Sequence, residues 1–136
     1  MQQVLIDTGP WVALIDRSEG KHDKCAQWFR KFKGEIFSTE AVLTEVLYLV
    51  NFSISAQEAA VDFVLCGAFI LVPFSLNSLE HNKKLMRKYS DLPMDYADAT
   101  LVSLAQELNI ANIVTFDTKH FSAYRFSKTK TFHLCL

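Results

Sequence analysis

The stretch VLIDTGPW, Val4 to Trp11, decides the fold, because its aspartate supports two incompatible readings. Asp7-Thr8-Gly9 is the tripeptide that bears the catalytic carboxylate of aspartic peptidases. An aspartate closing an apolar run is also how many α/β enzymes hold a metal. Val4–Asp7 shows no polar alternation, as expected of a strand buried on both faces. Pro10 follows where the first residue of a helix tolerates proline.

Working outward, short apolar runs alternate with helical patterns. Cys25, Trp28, Phe29 and Phe32 keep the i, i+3, i+4, i+7 spacing of a helix face, and Glu35–Ser38 reads as a short strand. Glu40–Val50 is apolar almost all round, which predicts a buried helix. Ser55 and Glu58 have capping-box spacing, and Gly67 is a natural stop for the helix they open. Phe69–Val72 reads as a buried strand ended by Pro73, and Leu76–Tyr89 as a lysine-rich helix. Asp95 opens a further helix whose buried face is Leu101, Val102, Ala105 and Leu108, with Asn109 as its C-cap. Ile113–Phe116 and Thr131–Leu136 complete the strands. Strands separated by helices predict a parallel sheet covered on both faces. Aspartic peptidases are built from β-sheet, and a chain with one Asp-Thr-Gly would have to dimerise to supply two aspartates. The peptidase reading does not fit this element order.

Composition sets the remaining bounds. The 136 residues predict a single domain spanning 1–136, with half of them hydrophobic and 21% charged. MQQVLID lacks the basic start and apolar core of a signal peptide, and the most apolar stretch, Ala59–Phe74, is interrupted and short for a bilayer span. Cys25, Cys66 and Cys135 are odd in number and widely spaced, which suits a reducing compartment better than a disulfide framework. A soluble, cytoplasmic protein with no membrane partner is the expectation.

The acids carry the chemistry. Asp7 and Asp117 close two strand candidates, and ligands of open α/β sheets bind at the carboxyl ends of the strands. Either aspartate alone reads equally well as a helix N-cap. Glu45 lies in the stripe Val42, Glu45, Val46, Leu49, and Asp98 in the stripe Asp98, Leu101, Val102, Ala105. An ionised carboxylate on a core-facing stripe costs several kcal/mol unless it is paired. A distant arginine or a misread helix face would account for one such acid; a shared cation accounts for several. Oxygen-only ligation suits Mg²⁺ or Mn²⁺, and the four histidines show no zinc spacing. His120, in FDTKHF, is a structural or substrate-edge residue on one reading and catalytic on another. Asp95 is either the N-cap of its helix or, three residues before Asp98, a second carboxylate at the same site.

Four segments together, VLIDTGPWVALID, TEVLYLV, MDYADATLVSLA and IVTFDTKHF, resemble the PIN domain, particularly the VapC-like toxin ribonucleases. The resemblance runs from Val4 to Phe121. It implies a three-layer α/β/α sandwich with a central, mainly parallel sheet. It also implies a catalytic and metal-binding set of Asp7, Glu45, Asp98 and Asp117, with Thr8 and Thr115 as supporting hydroxyls; the family's usual set does not require Asp95, which stays open between cap and supporting acid. The implied reaction is Mg²⁺- or Mn²⁺-dependent hydrolysis of RNA phosphodiesters. The implied partners are an RNA substrate, a small antitoxin protein and a second copy of the chain. Setting those four acids aside leaves eleven acidic against fourteen basic residues, a net +3 compatible with phosphate binding. Three basic neighbourhoods, Lys21–Lys33, Lys83–Lys88 and Lys119–Lys130, are candidate backbone contacts. Three other readings stay open: a non-toxin PIN protein that processes RNA, a binding module of the same fold without turnover, and a metal-dependent phosphatase or flap nuclease.

Overall fold

The computed structural model describes residues 2–136. Five strands form one sheet: β1 (Gln2–Ile6), β2 (Gly34–Thr39), β3 (Phe69–Val72), β4 (Asn112–Val114) and β5 (His133–Leu134). Seven helices connect them among the described residues: α1 (Thr8–Ile15), α2 (His22–Lys31), α3 (Glu40–Leu49), α4 (Ile54–Leu65), α5 (Leu76–Lys88), α6 (Tyr96–Leu108) and α7 (Thr118–Ala123). The strand order is β3-β2-β1-β4-β5, and every pairing is parallel.

This order follows from what each strand can bury. Val4, Leu5 and Ile6 of β1 are excluded from solvent, so β1 takes the centre, with Leu5 opposite Phe37 of β2 and Ile113 of β4. The chain steps outward from β1 to β2 to β3, then returns to place β4 on the other side of β1. Right-handed crossovers put the helices of the outward steps on one face and those of the return on the other. Trp11, Phe29, Phe63 and Phe69 interlock at ring distances of 4.8–6.0 Å on one side. Tyr89, Phe121, Tyr124 and Phe132 form a second cluster. Trp28, Phe29 and Phe32 pack against the core.

Several local expectations need correction. The helix expected at Pro10 begins at Thr8, so proline occupies its third position; the N–H it lacks would have no partner inside the helix anyway. The helix opened by a serine cap is α4, but Ser53 rather than Ser55 is the cap, accepting from Ala56 N at 3.2 Å. Helix α3 is not buried all round: Val42 and Val46 face the core while Tyr48 (73% exposed) and Leu49 (52%) face solvent. Leu108 is likewise exposed, and β3 is an edge strand with Ile70 partly exposed. Hydrophobic composition alone does not distinguish a core face from an unpartnered one. Helix α7 has no counterpart in the sequence reading, because six residues are too few to show a period. Gly67 (φ 86°) and Asn109 (φ 56°) do end α4 and α6 in the left-handed conformation.

Candidate active site

The sheet reverses its direction of growth between β1 and β4, and open α/β sheets bind ligands at the carboxyl ends of the strands at such a switch point. Asp7 leaves β1 there, its N–H donating to Val114 O at 3.0 Å. Asp117 follows β4 three residues after Val114. Each aspartate is also the N-cap of the next helix: Asp7 accepts from Thr8 N at 2.8 Å, and Asp117 from His120 N at 3.1 Å. The capping and site readings are therefore compatible, since each carboxylate oxygen has two lone pairs and a cap uses only one of them.

Hydroxyls and a phenol hold the acids. Thr115 Oγ1 donates to Asp7 Oδ2 at 2.8 Å and accepts from Asp117 N at 3.0 Å, tying the two strand ends together. Thr8 Oγ1 donates to Glu45 Oε1 at 2.8 Å, drawing α3 toward the end of β1. Tyr124, buried just beyond α7, donates its hydroxyl to Asp98 Oδ2 at 3.0 Å. His120 Nδ1 lies 2.8 Å from both oxygens of Asp117. Asp95 is the N-cap of α6, accepting from Asp98 N at 2.8 Å, and is exposed at the rim.

The electrostatics show that these groups share one neighbourhood. Burial pushes the Asp7 carboxyl up to about 6; the hydrogen bonds from Thr115 and Thr8 oppose this, and the charges of Glu45 and Asp117 add to it. Asp98 is raised to about 7, chiefly by burial, then by Asp95 and Asp7, with the Tyr124 bond opposing and Asp117 adding. Burial, Asp98 and the other acids likewise push the Tyr124 hydroxyl well above its ordinary value. Among the described residues, the lysine or arginine ion pair is Lys84–Glu80, away from the site, so no lysine or arginine neutralises the cluster. This removes the distant-arginine account of Glu45 and Asp98.

The donor set is all oxygen and mutually repelling, the chemistry that suits a hard divalent cation. Among the described residues, however, no three His, Cys, Asp or Glu side chains stand close enough to make a ready-formed metal cage. Each acid is instead held by its own hydrogen bond.

Sequence reasoning passed over Tyr124 and the close packing of Gly9, whereas Lys21 already stood in its first basic neighbourhood. Tyr124 is the partner of Asp98, and its only sequence signal is its place in the aromatic run that follows FDTKHF. Gly9 lets α1 approach the segment between β4 and α7, since a Cβ there would lie 2.9 Å from the Phe116 ring. Lys21 places Nζ 4.2 Å from the centroid of Phe116, the residue before Asp117. Arg125, in the third basic neighbourhood, instead donates to the carbonyls of Ser122, Ala123 and Tyr124.

The PIN domain model matches residues 4–127, nearly all of the sheet and all of these acids. The chain belongs to the PIN domain family. PIN relatives include ribonuclease VapC26 of Mycobacterium tuberculosis, 28% identical over 124 residues, covering 90% of this chain and 92% of that protein. The crystal structure of VapC20 from M. tuberculosis, described as a sarcin-ricin loop cleaving toxin, superposes with a TM-score of 0.81. It is 19% identical, covering 88% of this chain and 94% of its own. VapBC2 of Rickettsia felis, solved bound to a DNA fragment from its promoter, gives a TM-score of 0.68 at 16% identity, covering 99% and 100%. These likenesses bear out the three-layer PIN fold, with its sheet parallel throughout. Among the described residues no helix is long and apolar enough to cross a membrane.

Proposed function

We propose that this PIN protein is a metal-dependent endoribonuclease and the toxin of a type II toxin–antitoxin pair. The observation that carries the reading is the unneutralised acid cluster at the switch point. Burial and mutual repulsion oppose ionisation of Asp7 and Asp98, yet no cationic side chain offsets them. Such a cluster is costly to a fold and is explained by a site that uses it. The ribonuclease name of VapC26 and the toxin descriptions of the structural neighbours support the same reading.

Asp7, Asp98 and Asp117 would hold Mg²⁺ or Mn²⁺, with Glu45 completing or orienting the set. A bound cation would supply Lewis-acid stabilisation of phosphate oxygens and lower the pKa of water. The chain's own residues do the remainder. Thr115 fixes Asp7 relative to Asp117, Thr8 holds Glu45 inward, and Tyr124 holds Asp98 while favouring its charged form. Lys21, exposed beside Phe116, supplies a positive charge near the rim for a phosphate of the substrate.

Partners are proposed on the same footing. Solved relatives include a toxin–antitoxin complex from Klebsiella pneumoniae, with a TM-score of 0.66 at 19% identity over 88% of this chain and 90% of that one. On this chain Tyr48, Leu49, Phe52, Ile54 and Leu65 leave an exposed apolar surface around α3 and α4, suited to a small antitoxin. Leu76, Leu79 and Met86 of α5 offer a second such surface to another copy of the chain.

One observation favours a second reading, a binding module without turnover: the acids are not gathered into a ready-formed cage. Cleavage of single-stranded RNA in Mn²⁺ by wild type and Asp98→Asn separates the two. Cleavage abolished by the substitution and by EDTA supports the enzyme. Activity unchanged by either refutes the metal site, and RNA binding without cleavage supports the module. Growth arrest on expressing the chain alone, relieved by Asp98→Asn, tests the toxin role.

A further inference from the structure

The hydroxyls around the acids are already committed: Thr8 to Glu45, Thr115 to Asp7 and Tyr124 to Asp98. His120 differs. Its Nδ1 lies 2.8 Å from both oxygens of Asp117, and an ionised carboxylate can only accept, so Nδ1 carries the ring hydrogen. In the neutral ring this leaves Nε2 as an acceptor, on the edge that points away from Asp117. Among the described residues Nε2 has no hydrogen-bond partner, and the buried unpaired atoms are Trp11 Nε1 and Asn82 Oδ1, so Nε2 reaches solvent. The side chain as a whole is 27% exposed. Its ring is held by Asp117 and by Tyr124, whose own ring is inclined to it by 29° with centroids 6.2 Å apart.

We propose that His120 Nε2 binds the ribose 2′-hydroxyl of the nucleotide cleaved at the acids, which makes His120 a residue that distinguishes RNA from DNA. The inference rests on the ribonuclease reading and adds to it the group that reads the sugar. The acids and Lys21 act on phosphate charge, which RNA and DNA share; telling them apart takes a contact to the 2′-hydroxyl. Asp117 belongs to the set proposed for the scissile phosphate. Nε2 stands one ring width from its carboxylate, the scale on which a 2′-hydroxyl stands off the neighbouring phosphate. A free acceptor repels phosphate oxygens and calls for a donor. The amine of a base is the other donor that an RNA offers, but the sugar separates it from the phosphate and from a ring packed against Asp117. Because a 2′-hydroxyl both donates and accepts, the contact forms whether the ring is neutral or protonated.

The ring is partly exposed, so water replaces the partner lost with deoxyribose. The contact should therefore favour RNA by about 2- to 10-fold, far below the ~10⁴-fold of an enclosed polar site.

The probes are a single-stranded RNA and its 2′-deoxy counterpart with uracil retained, which differ only at the 2′ position. Cleavage of each in Mn²⁺, and affinity for each in EDTA by fluorescence anisotropy, are measured for wild type, His120→Phe and His120→Gln. Phenylalanine keeps a flat ring without nitrogen, and glutamine keeps an acceptor near the place of Nε2. The ratio of RNA to 2′-deoxy cleavage should fall by about 2- to 10-fold in His120→Phe and recover in part in His120→Gln. A residue that merely supports Asp117 would slow both polymers together and leave the ratio at its wild-type value, which overturns the proposal. A wild type indifferent to the sugar overturns it as well. If wild type cleaves neither polymer, the ribonuclease reading fails and the affinities decide this one. A preference for RNA that His120→Phe loses would uphold the contact, and a preference that it keeps would refute it.

Discussion

Replacing Asp7 by asparagine should make the metal-free protein more stable at alkaline pH, although Asp7 lies at the centre of the candidate site. The carboxyl is raised from 3.8 to about 6, mainly by burial. A folded pKa above the unfolded value means that the neutral form favours the fold. That stability is fully present below pH 3.8 and lost as the pH rises through about 6. The whole shift corresponds to about 3 kcal/mol, of which about 1.5 kcal/mol falls between pH 5 and pH 8. The substituted amide carries no charge at either pH. It cannot accept from both Thr115 and Thr8 as the carboxylate does, a loss of about 1 kcal/mol that does not vary with pH. The stability of Asp7→Asn relative to wild type should therefore improve by about 1.5 kcal/mol between pH 5 and pH 8, roughly 5 °C in melting temperature. Urea unfolding followed by circular dichroism in EDTA measures this at both values. A difference between the two proteins that does not change with pH would refute the electrostatic account of the site. Adding Mg²⁺ at pH 8 should raise wild-type stability, by about 2.7 kcal/mol at a hundredfold excess over Kd, and leave Asp7→Asn unmoved. Equal stabilisation of both would refute Asp7 as a ligand.

Three further outcomes follow from the contacts around the acids. Tyr124→Phe removes the hydroxyl that favours the charged form of Asp98, so Asp98 should titrate above about 7, moving the acidic limb of an RNA-cleavage profile to higher pH; an unmoved limb would count against the bond. Thr8→Val releases Glu45 and should lower cleavage by about tenfold in steady-state assays while changing stability little, as expected for a residue that orients a ligand. Gly34→Ala should destabilise by about 3 kcal/mol in denaturant titration, because the added Cβ would lie 2.1 Å from the carbonyl oxygen of Gln2 across the β1–β2 pairing. A folded Gly34→Ala of wild-type stability would show that the strands pair in another register.

How much could be read in advance depends on the range of each interaction. Capping and termination are decided within four or five residues, so Asp95, Gly67 and Asn109 stand where local chemistry places them. The exchange of Ser53 for Ser55 shows the limit of that argument, since two serines in one turn offer the same cap and helix packing chooses between them. Tyr48 and Leu49 look like core residues in composition, and only the absence of an opposing element leaves them in solvent.

The sequence by itself determined the alternation of strands and helices and put aspartates at the ends of two strands, because hydrophobic periodicity and capping are local. Tertiary structure alone decided that β4 returns to the side of β1 opposite β2, since strand pairing joins residues a hundred positions apart and leaves no local mark. That return makes Asp7 and Asp117 neighbours, lets one threonine bind both, and brings Tyr124 onto Asp98. Four acids are legible in the chain; the raised protonation of Asp7 and Asp98, and the meeting of the acids at one sheet edge, exist only because a buried parallel sheet brings them together away from water.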